Sequence, residues 1–193
     1  MRTLPQSTPS SEGPTNNIVQ PTLYPRTVIS RIVTGLYDVN NDGVNPSLEA
    51  INFSLNDVPG YSELTAVYQS YCIEQIEIWF RPEYTQLVDS STLSNAVNVE
   101  FLSAIDLVDS ASPVSVAALS EYQSLAHTGI TQNHYRKFKP AYLIDSAMPS
   151  CGLISTNSPS LNWYGLKVAV PPCGVSMKFR SVVKFKIALI ELK

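Results

Sequence analysis

Charged residues make up only 15% of this 193-residue sequence, cysteine occurs three times and histidine twice. Each scarcity excludes something. His127 and His134 are accompanied by no Gly-x-Ser-x-Gly elbow, no phosphate-binding glycine loop and no metal-spaced Cys/His cluster. No enzymatic role and no cofactor are therefore expected, and each His reads as a surface or interface hydrogen-bonding group. Cys72, Cys151 and Cys173 are odd in number and far apart, which favours reduced thiols over a disulfide framework or a zinc site. Cys72 opens an apolar strand and reads as a buried, inert thiol. No run approaches the ~18 apolar residues of a membrane span, and the N-terminus has no apolar signal core, so neither a membrane nor secretion is expected. The sequon at Asn52 to Ser54 is discounted on that ground and because it lies within a strand pattern. The formal net charge of −3 gives no global sign of nucleic-acid binding.

What is present is a hydrophobic content of 44%, with 10 Tyr and 14 Pro. This suits one loop-rich all-β domain that buries surface against partners. The organising stretch is Asn52 to Tyr84. It reads as a strand end, an Asn56-Asp57 turn with Pro59-Gly60, a short helix, and a long strand. Leu64, Val67, Tyr68 and Tyr71 recur at helical offsets. From Cys72 the period becomes two, with Ile76, Ile78 and Phe80 on one face and Gln75, Glu77 and Arg81 on the other. Pro82, lacking an N–H, is expected to end the ladder.

Residues 1–23 are rich in Pro, Ser, Thr and Asn, carry only Arg2 and Glu12 as charges, and read as an extended, flexible arm. Tyr24 to Asp38 is a β-like run. Asp38 to Glu49 then matches the calcium-loop pattern, with Asp38, Asn40 and Asp42 as candidate ligands and Gly43 at the bend. Its flanks are strands, it occurs once, and Pro46 follows Asn45. A plain Asp-Gly turn between strands is the preferred reading.

Tyr84 to Asn98 is a polar connection. Val99 to Leu107 alternates as a half-buried strand, Pro113 to Leu119 can form a short helix, and Tyr122 to Ile130 is ambiguous. His134 to Ile144 is strand-like and carries Arg136, Lys137 and Lys139. Residues 145–162 read as a long loop. Trp163 to Val170 alternates, with Tyr164, Leu166, Val168 and Val170 on one side. In the last segment Met177, Phe179, Val183, Phe185, Ile187 and Leu189 share one face, while Lys178, Arg180, Lys184 and Lys186 share the other. Those four cations fit equally a solvated strand face and a phosphate-facing stripe. About eight strands with short helices in the connections make a single jelly roll, an eight-stranded antiparallel β-sandwich, the expected fold.

Four features in order carry a resemblance over some nine-tenths of the chain. They are Phe53 to Asp57 with its Pro-Gly turn, the aromatic helix end and alternating strand from Tyr68 to Pro82, the segment from Phe101 through Lys139-Pro140, and the basic-apolar strand Met177 to Leu189. Together they resemble the capsid proteins of circular, Rep-encoding single-stranded DNA viruses, the circovirus-like group. The resemblance implies a jelly-roll domain over 24–193, self-assembly into a small icosahedral (T=1) shell, and location in the virion after assembly inside the host cell. It implies that the sheet holding the last strand faces the interior, so that Lys178, Arg180, Lys184 and Lys186, with Arg26, Arg31, Arg136, Lys137 and Lys139, would face single-stranded DNA. These capsid proteins usually begin with an arginine-rich arm, whereas residues 1–23 hold only Arg2 and Glu12 as charges, so DNA binding is expected to be weak. The host receptor is not readable from the residues. The competing reading is a jelly-roll ligand- or carbohydrate-binding module using calcium at Asp38, Asn40 and Asp42. Particle size separates the two.

Overall fold

The computed structural model describes residues 26–84, 98–144 and 148–192. The arm at 1–23 and nearly all of the polar connection from Tyr84 to Asn98 lie outside these. Twelve strands are found among the described residues: β1 (Arg26–Thr34), β2 (Val39–Asn41), β3 (Ser47–Phe53), β4 (Tyr68–Tyr84), β5 (Glu100–Ala104), β6 (Ala126–Gly129), β7 (His134–Phe138), β8 (Tyr142–Ile144), β9 (Met148–Ser150), β10 (Ile154–Ser155), β11 (Trp163–Val170) and β12 (Met177–Leu192). Two short helices join them, α1 (Tyr61–Val67) and α2 (Val116–Ser120).

The pairing defines the fold. One sheet runs β1-β12-β4 with β7 and the short β10 along the far side of β4, and β2 adds to the end of β12. The other runs β3-β11-β5-β6, and every named pairing is antiparallel. Chain neighbours such as β3 and β4 therefore fall in opposite sheets, and the first strand pairs with the last. Both sheets belong to one jelly roll. Their inner faces share a core in which Phe80, Phe101 and Phe179 stack with centroids 4.8–5.0 Å apart. Burying each such side chain stabilises the fold by roughly 1.5–3 kcal/mol.

β12 alternates as its sequence requires: Met177, Phe179, Val183, Phe185, Ile187 and Leu189 are buried, while Lys178, Arg180, Lys184 and Lys186 point outward and are half-buried or exposed. The Asp42-Gly43 region is a turn between β2 and β3. Gly43 has φ +83°, and a Cβ there would lie 2.7 Å from the Val175 backbone, so glycine is required. The Asn56-Asp57 turn is a single 3-10 turn in which Ser54 and Asp57 form a capping box.

Five expectations change. The helix stops at Val67, so Tyr68 and Tyr71 are strand residues; Tyr71 pairs with both Leu189 and Ile154, and tertiary pairing overrides the helical spacing. Pro82 does not end β4, which continues to Tyr84 opposite Met177. Pairing with β7 stops at Phe80, so beyond it β4 has β12 alone as a long neighbour, where proline is tolerated. β5 is not half-buried: Phe101 enters the main core, while Leu102 and Ala104 pack in a second cluster with Leu119 and Ala169 beneath α2. In β11 a register shift between Trp163 and Leu166 puts Trp163, not Tyr164, in the core. Gly165 sits at that irregularity, where a Cβ would come 2.4 Å from the Phe138 ring. The long loop at 145–162 contains β9 and β10, strands too short to leave a periodic signal.

Candidate nucleic-acid interface

The outer face of the β1-β12-β4-β7 sheet is built by alternation. Register sets Lys178 opposite Glu83, Arg180 opposite Arg81, Val182 opposite Trp79, Lys184 opposite Glu77 and Lys186 opposite Gln75. On the far side of β4, Trp79 faces Tyr135 and Glu77 faces Lys137. A register shift follows Lys186, and the extra residue of β4 there is Glu74, a bulge that turns its carboxylate toward the cations.

The four β12 cations are paired within the sheet. Lys178 Nζ lies 2.8 Å from the Asp38 carboxylate and Arg180 Nε 3.1 Å from Glu83. Lys184 is 3.5 Å from Glu77 and Lys186 3.5 Å from Glu74, which also pairs with Arg26. The stripe is thus a ladder of partly exposed ion pairs, each worth little in isolation. Arg81, Lys137 and Lys139 have no ion-pair partner among the described residues and supply the positive surplus. Lys139 shares a cleft with Arg26, Cys72, Glu74 and Cys151. There Cys72 Sγ donates to the Cys151 carbonyl at 3.2 Å, and burial raises the Cys72 thiol pKa.

Two of the proposed cations do not share this face. Arg31 pairs with Phe185 and so falls on the side of Ile29 and Val33, at the exposed sheet edge. Arg136 pairs with Ile78, and its guanidinium donates to the Ser124 carbonyl at 2.7 Å. Strand alternation applied within β1 and β7 separates both from Arg26 and Lys137. Sequence reasoning also left out the counter-ions and Trp79. The signal was available, because Glu77, Trp79, Arg81 and Glu83 alternate on β4 as the cations do on β12.

The candidate calcium ligands have other partners. Asp38 accepts hydrogen bonds from the Ser181 backbone N–H and from Lys178. Burial works against its charge, but the Lys178 and Ser181 hydrogen bonds hold its carboxyl below the usual range. Asp42 accepts from the Asn45 and Val44 backbone N–H groups, which lower its pKa, and Asn40 is exposed opposite Lys178. Among the described residues no three His, Cys, Asp or Glu side chains are grouped to hold a metal.

Among the described residues, the outer face of the other sheet is covered in part. α2 and its flanking residues cover β11 and β5, and beneath them Lys167, 3% exposed, reaches Asp106 at 2.9 Å, Asp109 at 2.7 Å and the Tyr122 hydroxyl at 3.2 Å. Burial opposes the ammonium charge, yet these partners raise its pKa. Between the sheets, buried His134 contacts Ser103 Oγ at 2.6 Å and Thr128 Oγ1 at 2.9 Å. Burial lowers its pKa to about 4, with a smaller push from Arg136.

A jelly roll of this topology is the fold of viral capsid proteins. Solved structures show the same architecture at low sequence identity. The 60-mer capsid protein of BFDV has a TM-score of 0.60 and 13% identity, over 87% of this chain and 95% of that one. The decameric BFDV capsid protein gives 0.60 and 14%, over 86% and 100%. Mud crab tombus-like virus gives 0.57 and 13%, over 93% and 95%. No curated protein matches the sequence. The family model for circovirus capsid protein matches residues 20–189, and the chain belongs to that family. It is a structural protein, and its place is the virion.

Proposed function

We propose that this subunit closes with copies of itself into a small icosahedral T=1 shell around circular single-stranded DNA. The open face of the β1-β12-β4-β7 sheet is turned to the lumen. Residues 24–193 form the shell domain, and assembly takes place inside the host cell, in the nucleus. The observation that carries this reading is the contrast between the sheets. Among the described residues, α2 covers the β11 and β5 strands of one outer face, whereas no element packs over the other, where Arg81 and Lys137 add to four carboxylate-paired cations. Large apolar side chains left outside both cores, such as Val114 at 88% exposure and Met148 at 68%, supply surface for self-association. Since all four β12 cations already have carboxylate partners, DNA is held by the surplus, weakly and in a salt-sensitive way.

Light scattering of the purified chain, with the 260/280 nm absorbance ratio of the same peak, tests it. A uniform particle of megadalton mass is expected, with a raised ratio when nucleic acid is enclosed. A small species at every salt concentration rejects shell formation. A particle whose ratio stays protein-like after assembly with single-stranded DNA rejects the DNA assignment alone.

A further inference from the structure

Trp79 and Tyr135 stand side by side on the open sheet face. They are cross-strand partners on β4 and β7, with ring centroids 5.0 Å apart and planes 33° from parallel. Neither is in the core: Tyr135 is 44% exposed and Trp79 half-buried. Unpaired cations bracket the pair along the strands. Two residues beyond Trp79 is Arg81, set directly opposite Arg180; two residues beyond Tyr135 is Lys137, set opposite Glu77, which pairs with Lys184 and accepts from the Tyr135 hydroxyl at 3.5 Å, so that end keeps one cation in surplus. Like charges directly opposite in a sheet repel, and Arg180 alone of the two Arg side chains has a carboxylate, Glu83. An anion that spans the face relieves that repulsion.

We infer that the Trp79–Tyr135 pair is a stacking platform for unpaired nucleobases, with Arg81 and Lys137 holding the phosphates on either side. This rests on the lumenal, DNA-facing assignment above and names the residues that perform it. Flat aromatic rings suit the purpose because every base has a π-face, so stacking tolerates any sequence, as an enclosed genome requires. Charge complementarity decides against a protein partner as occupant. A Trp–Tyr anchor for another subunit would sit in a patch depleted of charge, whereas this pair lies between cations that have no ion-pair partner among the described residues.

The test uses the full-length chain, mixed before assembly with a 20-nucleotide oligothymidylate and, separately, with an abasic oligomer of equal charge. Trp79 and Trp163 are the only tryptophans, and Trp163 is fully buried, so quenching of the half-buried Trp79 indole reads stacking without any mutation. The expected results are quenching by oligothymidylate and not by the abasic strand, and a loss of affinity of roughly 5- to 150-fold in Trp79→Leu or Tyr135→Leu at unchanged salt slope. Trp79→Phe, which keeps a flat ring and the strand, should retain most of the affinity. Arg81→Gln and Lys137→Gln should instead lower the salt slope. If the wild-type chain binds both oligomers equally and without quenching, the platform is wrong and the DNA-facing assignment stands. If it binds neither at low salt, both fall. If Trp79→Leu abolishes particle formation while oligonucleotide affinity is unchanged, the pair is a subunit contact and the platform is overturned.

Discussion

The two outer faces of this sandwich carry the same kind of side chain to opposite ends. On the β12 face, Lys178, Lys184 and Lys186 keep 33–45% of their side chains exposed beside the more buried carboxylates of Asp38, Glu77 and Glu74, so water screens each pair in part. On the β11 face, Lys167 is sealed under the segment that carries α2, with Asp106, Asp109 and Tyr122 as its partners. A lysine that can exchange its carboxylate for a phosphate must remain at the surface. One that pins a loop over a sheet must be buried and fully paired. The comparison separates a face kept for ligands from a face committed to stability.

Truncation should show this most strongly. Lys167→Ala strands Asp106, whose side chain is 8% exposed, and should cost about 3–5 kcal/mol in urea unfolding of the dissociated subunit. Lys184→Ala, a chemically identical change, should cost about 1 kcal/mol or less. Similar costs at the two positions would erase the distinction.

Next in size is the seam between the sheets. His134 has a folded-state pKa near 4, below its ordinary 6.5, so the unfolded chain binds the extra proton between those values. Stability is therefore full above about pH 6.5 and falls as pH drops toward 4, by up to about 3 kcal/mol at roughly 1.4 kcal/mol per unit. His134→Gln should flatten that slope in pH-dependent urea titrations; an unchanged slope would mean that His134 is not its source.

Further acid should act on the carboxylates. Asp106, Asp109 and Asp38 are held below the ordinary carboxylate range: burial opposes the charge at Asp106 and Asp38, but hydrogen bonds outweigh it, from the Val108 backbone N–H and Lys167 at Asp106 and from Lys178 and Ser181 at Asp38, and at Asp109 the Lys167 hydrogen bond is the leading cause. Their contribution is present above an unfolded pKa of ~4 and is lost as pH falls through the lower folded values, after the His134 loss. Lys167→Ala should reduce the part of this second loss that belongs to Asp106 and Asp109, leaving what their backbone hydrogen bonds from Val108 and Ala111 supply. Salt should give the smallest effect. Raising ionic strength from 0.1 to 1 M shortens the screening length from ~10 to ~3 Å, which should abolish the already small difference between wild type and Lys184→Ala and leave that for Lys167→Ala nearly intact.

Much of this fold was legible because strands with one wet face alternate. In β12 the alternation places the six named apolar residues inward and the four cations outward, failing only near the end, where outward Ala188 is buried, and the Asp-Gly turn announces itself through Gly43. The pattern failed where local order yields to a partner. Tyr68 and Tyr71 have helical spacing but pair with β12, and Trp163 enters the core through an irregularity that alternation cannot anticipate. The covering of β5 by α2 was hidden because α2 folds back onto the strand that precedes it, a tertiary contact that strand periodicity does not report. At the candidate interface the cations were visible and their neutralisation was not. Lys184 and Glu77 are 107 positions apart, and only the β4–β12 register brings them together.

The most direct test of the central claim is an electron cryo-microscopy reconstruction of the particles formed by the purified chain. The account predicts a closed icosahedral shell with Lys184, Lys186 and the Trp79–Tyr135 pair lining the lumen. A closed shell that turns this face outward, or buries it between subunits, would contradict the account, as would the absence of closed particles.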